Sequence, residues 1–339
     1  MRLSQTIEIA GRKVGGGAPC FIIAEAGVSH FGSFEKALKL VDMAVEAAAD
    51  AVKFQVFDID RMIAGESAEW KARLGDRVLP YEDFAKLQEY CTRKGITFFA
   101  TAHEEESLEF LNAIEVPVFK IGSGELNNLG YLAQIAGYGK PVIYSTGMHG
   151  LEDIRRGLEA MTATGNRDIA VLHCVTQYPT PAEEVNLRAM DVLRGTFDCI
   201  VGYSDHTEGH LIPLAAVARG AEIIEKHITL EFDIPNAQDW KVSCGPDDLS
   251  AFVREIRTIE AALGRAVKQP SAAEARNQDW ARKSLVTTRA LAAGTALEPA
   301  MLTAKRPGTG IAPHEIGDVL GRVLKTDVQA DTVLRWEML

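Results

Sequence analysis

Residues 21–57 read FIIAEAGVSHFGSFEKALKLVDMAVEAAADAVKFQVF, and the fold follows from them. Residues 21–27 form a short apolar run, as expected of a strand buried on both faces. Ser33 is placed to cap a helix. Residues 34–49 then set Leu38, Val41, Met43, Val45 and several alanines at helix-face spacing. A second run, rich in β-branched and aromatic residues, follows at 51–57. The unit is strand, helix, strand.

The same unit recurs outward from this stretch. Further strand-like runs occupy residues 96–101, 118–122, 142–146, 169–175, 200–204 and 222–230. Helical periodicity fills 81–94, 105–114, 129–137, 151–164, 187–193, 211–219 and 248–263. Glu82, Asp83 and Asp247 mark helix starts, and Gly95, Gly139, Gly165 and Gly220 mark helix ends. Eight strand-then-helix units predict an α/β protein, a (β/α)8 TIM barrel. A doubly wound open sheet competes less well, because it needs fewer units and a GxGxxG turn where this chain has GVSHFG. The catalytic barrel is expected to span residues 1–265, with a polar linker at 266–281 that holds Pro270. From Arg282 the pattern changes to short strand-like pieces and turns, which predicts a small separate domain at 282–339.

Composition excludes several classes. The 339 residues are 47% hydrophobic and 24% charged, with a formal net charge of −11. No basic stripe suits nucleic acid. No run approaches the roughly 20 apolar residues of a membrane span, and residues 1–18 lack the apolar core of a signal peptide. The five cysteines are scattered without a disulfide or metal pattern, so a reducing cytoplasm is the expected compartment.

A barrel keeps its chemistry at the C-terminal ends of its strands. There the chain has Glu25, Lys53, Gln55, Thr101, His103, Lys120, Ser123, Glu125, Ser145, Thr176, Tyr178, Ser204, His206, Glu225 and His227. Lys53 and Lys120 alternate with apolar neighbours and should face the interior. They read either as structural lysines paired with Glu25 or Glu225, or as a cradle for phosphate and carboxylate with Ser123, Thr101 and nearby glycine amides. His206 and His227 end adjacent strands roughly 5 Å apart. They can share a divalent ion or simply bond to the core. Glu225 and Asp205 flank these histidines and are expected to face away or to act behind them. His173 reads as a satisfied barrel histidine, and His149, His210 and His314 as loop or surface residues. His30, in the first loop, is a candidate substrate contact. No GxSxG, Walker or HExxH motif is present. A Schiff-base lysine aldolase is the rival chemistry, and a non-catalytic carbohydrate-binding protein the rival class.

AEAGVSHFGS, AVKFQVF, FKIGSGELNN, STGM, LHCVTQYPTP, GYSDHT and EKHITL, in this order, resemble the sialic acid synthase family. The terminal KRPGTGI resembles the antifreeze-like (SAF) domain of those enzymes. The resemblance implies a barrel followed by a SAF domain, and a homodimer in which the small domain of one chain closes over the partner's barrel. It implies condensation of phosphoenolpyruvate (PEP) with the open-chain aldehyde of an N-acetylated mannose-type sugar, giving a nine-carbon 2-keto acid and phosphate. It implies a divalent ion, typically manganese (Mn2+), on His206 and His227, polarising the aldehyde. It assigns PEP to Lys53, Thr101, Lys120, Ser123, Thr176 and Ser204, and protons or sugar hydroxyls to Glu25 and Glu125. The sugar falls to Gln55, Tyr178 and Asp239, and its N-acyl group to Arg306 from the partner chain. The chain departs from the family where NHNG is replaced by residues 29–32, SHFG, and STPF by residues 100–103, ATAH. Thr176 replaces an asparagine or serine. The first loop, AEAGV, is nearer to legionaminic acid synthases than to the AEMSGNH of pseudaminic acid synthases.

Overall fold

A computed structural model of the chain describes residues 2–235 and 237–339, which divide into two compact units, 1–264 and 265–339. In the first unit, eight parallel strands close into a barrel: β3 (Phe21–Gly27), β4 (Ala51–Val56), β5 (Thr97–Ala102), β6 (Phe119–Ile121), β7 (Val142–Ser145), β8 (Ile169–Cys174), β9 (Ile200–Asp205) and β10 (Ile223–His227). Each is a run the sequence marked, and β10 closes on β3 with His227 opposite Glu25. The helices follow for the reasons read from sequence. Ser33 accepts the Lys36 amide and starts Phe34–Glu46. Gly95 ends Tyr81–Lys94 in the left-handed conformation, φ 76°. The last barrel helix, Pro246–Leu263, starts ahead of the expected residue 248, because Pro246 fits the first helical turn and the Asp248 side chain accepts the Gly245 amide.

Two features lie outside the strand-helix reading. Residues 6–15 form a hairpin of β1 (Thr6–Ile9) and β2 (Arg12–Gly15), turning at Ala10 and Gly11. It covers the N-terminal end of the barrel, where Ser4 Oγ donates to Asp168 and Gln5 Nε2 to the Asp198 carbonyl. The short helices Ile59–Met62 and Ala68–Gly75 lie beyond β4, on the side where the strands end. No helix among the described residues is long and apolar enough to cross a membrane. The five cysteines are free and buried.

The second unit pairs β11 (Ser284–Thr287) with β12 (Leu302–Lys305) and adds single bridges at Val286–Val333, Leu291–Val328 and Ala296–Val323. Its own small core holds Leu285, Leu297, Ile311, Val319, Leu324 and Leu334. The stretch read as a linker includes two short helical turns, Ala272–Ala275 and Gln278–Ala281.

Candidate active site

The parallel barrel collects its strand ends at one opening, and the pleat turns alternate residues inward. A cavity of about 250 Å³ lies there. Its wall includes Glu25, Lys53, Gln55, Thr101, Lys120, Ser123, Thr176, Tyr178, Ser204, His206 and His227, all of them sequence candidates.

Its floor is a buried network of four charges. Lys53 Nζ lies 3.1 Å from Glu25 Oε2 and 3.3 Å from Glu225 Oε2, and donates to Thr101 Oγ1 at 3.3 Å. Lys120 Nζ lies 3.4 Å from Glu225 Oε1 and donates to Ser145 Oγ at 2.8 Å. Gln55 donates to Glu25 Oε1 at 3.0 Å, and Ser204 to Glu225 Oε1 at 2.9 Å. Even so, Glu25 Oε2 and Glu225 Oε2 have no hydrogen bond directed at them. Burial raises the Glu25 carboxyl above its ordinary value, more than the neighbouring Lys53 lowers it. Burial works on Glu225 in the same sense, but Lys120 and Lys53 outweigh it and hold that carboxyl well below the usual range. Burial also brings the Lys120 ammonium below its ordinary value, against the pull of Glu225.

The hydroxyls around this floor are oriented by what they accept. Thr101 accepts from Lys53, Ser145 from Lys120, and Ser123 Oγ from the Gly147 amide at 2.9 Å. Each is left with its own proton to donate. A Cβ at Gly147 would collide with Thr176 Oγ1 and Ser123 Oγ, so the STG turn needs glycine there. Two ammonium groups and three hydroxyl donors facing one space form a site for an anion.

The two histidines stand beside it, ring centroids 5.4 Å apart. His206 Nδ1 lies 2.7 Å from the Val175 carbonyl. That contact fixes the proton on Nδ1 and leaves Nε2 a lone pair. His227 Nδ1 is buried without a partner, and burial pushes this imidazole down to about 3, so it stays neutral. Burial lowers the His206 imidazole, but Cys174 and the Val175 carbonyl outweigh it and raise it above its ordinary value, so a divalent ion on these two imidazoles would displace a proton from His206. Among the described residues no three His, Cys, Asp or Glu side chains are spaced to hold a metal. Tyr178 packs against His206 with ring centroids 4.0 Å apart and planes tilted by 31°, and meets His227 edge-on at 5.8 Å.

Other candidates fall elsewhere. Glu125 is partly exposed, in the wall of a neighbouring cavity. Asp239, on the turn Asp239–Val242, acts on His227 through space but is not in the cavity wall. Arg306 is exposed in the second unit, its guanidinium 5.2 Å from the Trp280 ring. Two expectations are corrected. His30 does not face the cavity; it is fully buried between Phe54 and Phe84, and its Nδ1 accepts the Gly32 amide. Glu225 does not face away. It lies two residues from His227 on one strand, so the pleat puts both on the inner face. Asp205 does face outward, paired with Lys226. His173 is satisfied by the Val185 carbonyl at 2.7 Å. Cys174 and Ser145 also line the cavity, and Cys174 Sγ lies 3.7 Å from His206 Nδ1. The inward alternation of their strands was the signal for both.

Comparison with known proteins points the same way. The profile of the NeuB family matches residues 40–268 and that of the SAF domain residues 282–339. An N,N'-diacetyllegionaminic acid synthase of Legionella pneumophila is 38% identical over 97% of this chain and 98% of its own length. A human N-acetylneuraminate-9-phosphate synthase is 34% identical over 97% and 95%. The crystal structure of an N-acetylneuraminic acid synthetase from Leptospira borgpetersenii superposes with a TM-score of 0.76 at 36% identity, covering 81% of this chain and 96% of that one.

Proposed function

The chain belongs to the NeuB family, PEP-dependent nonulosonate synthases, and on that premise we propose how its residues divide the work of joining PEP to a sugar. The observation that carries the reading is the buried pair Lys53 and Lys120, with the hydroxyls of Thr101 and Ser145 accepting from them and Ser123 beside them. They hold the phosphate and carboxylate of PEP, with Thr176 at the rim. Ser204 spends its proton on Glu225, so it acts through that carboxylate. Glu225 in turn keeps both ammonium groups in place.

The acceptor is the open-chain aldehyde of an N-acetylated mannose-type sugar, and Gln55, Glu125, Tyr178 and Asp239 meet its hydroxyls. PEP C3 bonds to the aldehyde carbon as the C2=C3 and carbonyl π bonds open, water adds at C2, one of its protons ends on the former aldehyde oxygen, and the C2–O bond to phosphate breaks, leaving the 2-keto group and phosphate with the other proton. Glu25 is the group suited to take the water's proton, because burial lifts its carboxyl above the ordinary range. His206 and His227 would hold a divalent ion, manganese by preference, which when bound supplies Lewis-acid polarisation of the acceptor carbonyl. Arg306 is assigned to a partner chain's sugar site in a homodimer, on the family resemblance alone.

Phosphate release from PEP tests this, with manganese and with excess chelator, against N-acetylmannosamine and 2,4-diacetamido-2,4,6-trideoxymannose. Release should require both a sugar and the metal. Release that survives chelator, with a covalent adduct trapped by borohydride, would replace the reading with a lysine aldolase.

A further inference from the structure

This inference rests on the synthase reading and concerns the end of the acceptor that does not react. Two substrates must share the catalytic cavity, yet its volume is about 250 Å³. Sites that enclose one small ligand run from about 300 to 1,000 Å³. A second cavity of about 770 Å³ adjoins it, and His103 stands in the wall of both. His103 follows β5, with its ring edge-on to Phe57 at 6.0 Å and its Nδ1 3.9 Å from Glu125 Oε1. It is a polar partition supported from two sides.

Beyond it the wall offers the polar side chains of Glu125, Asn128 and Gln134, while the Tyr131 hydroxyl there already donates to the Ala102 and Glu104 carbonyls. Its charges are Glu104, Glu105 and Glu125 against Arg61, whose guanidinium already lies 2.7 Å from Glu106. Such a wall offers partners to hydroxyls and amides and a repelling field to an anion. We propose that the second cavity receives the distal end of the acceptor, that His103 is the specificity-determining residue at the passage, and that this end is neutral and hydrogen-bonding, not phosphorylated.

Gly130 provides the test. It lines the second cavity on the helix Leu129–Gly137, and a Cβ there would meet nothing within 4 Å. Gly130→Leu therefore fills the cavity without strain and favours the helix. In steady-state phosphate release its KM for N-acetylmannosamine should rise about tenfold while the KM for PEP stays within about twofold. His103→Phe keeps the ring and loses the polar edge, and should raise the sugar KM by about as much. Wild type should use N-acetylmannosamine at least about tenfold better, in kcat/KM, than its 6-phosphate. An unchanged sugar KM in both variants, or equal use of the 6-phosphate, overturns the inference. A wild type that releases phosphate with no sugar overturns the synthase reading, and this inference with it.

Discussion

Strand β10 carries two buried ion-pair systems one residue apart, and they are finished to different degrees. Glu225 points inward and bridges Lys53 and Lys120 at 3.3 and 3.4 Å. Lys226 points outward, 2.5 Å from Asp205 and 2.7 Å from the Thr207 carbonyl. The other Asp205 oxygen accepts from the Thr207 amide at 3.2 Å and its hydroxyl at 2.8 Å. Nothing in the outer pair lacks a partner. The inner set has longer contacts and two carboxylate oxygens with no hydrogen bond. Both are buried, so buried charge alone does not mark a site; charge left unsatisfied and facing a cavity does.

The largest effect should come from breaking the inner set. Lys120→Met removes one of two cations facing the phosphate, and kcat/KM should fall about 10³-fold. Stability should fall by about 1–3 kcal/mol, less than for a pair that loses its one cation, because Glu225 keeps Lys53 and the Ser204 hydroxyl. Steady-state rates and urea unfolding on one preparation check both halves. A rate within tenfold of wild type would make the inner lysines structural, like the outer one.

The outer pair should answer in the opposite way. Lys226→Met leaves Asp205 charged, buried and without its cation, which costs about 3–5 kcal/mol of stability. Turnover per folded molecule should stay within about twofold, since Lys226 faces away from the cavity. Lost turnover with unchanged stability would mean that the outer pair positions His206, next to Asp205, and the contrast between the two sets would fail.

The contrast was partly legible in sequence. The barrel was, because strand and helix periods alternate eight times and each run became a strand. Lys53, Lys120 and Gln55 were, because a charged or amide residue alternating with apolar ones has one buried face to occupy. Glu225 carried the same signal, two residues before His227, but reading it by adjacency instead of by pleat set it on the wrong side. The N-terminal hairpin went unread. Ile7, Ile9 and Val14 are its buried positions, and its turn is Ala10–Gly11, both at positive φ. Glu125 and Asp239 lie on turns, where no period says which way a side chain points. The satisfaction of each oxygen, which separates the two ion-pair sets, depends on distances that no spacing encodes.

His30 sharpens the comparison with a third kind of burial, a single polar group with no charge to balance. Its Nε2 has no partner, and burial pushes the imidazole down from 6.5 to about 4. The folded protein therefore resists a proton that the unfolded chain accepts. A depressed folded value means that this stability is present above pH 6.5 and is lost as pH falls toward 4. Between pH 7 and pH 5 the loss from this group should be about 2 kcal/mol. His30→Gln keeps an acceptor near the Gly32 amide and cannot titrate, so urea unfolding at the two pH values should show a slope shallower than wild type by that amount. The two stability differences coinciding within about 0.5 kcal/mol would mean that the unfolded chain gains nothing by protonating His30, and that other buried groups set the acid limit.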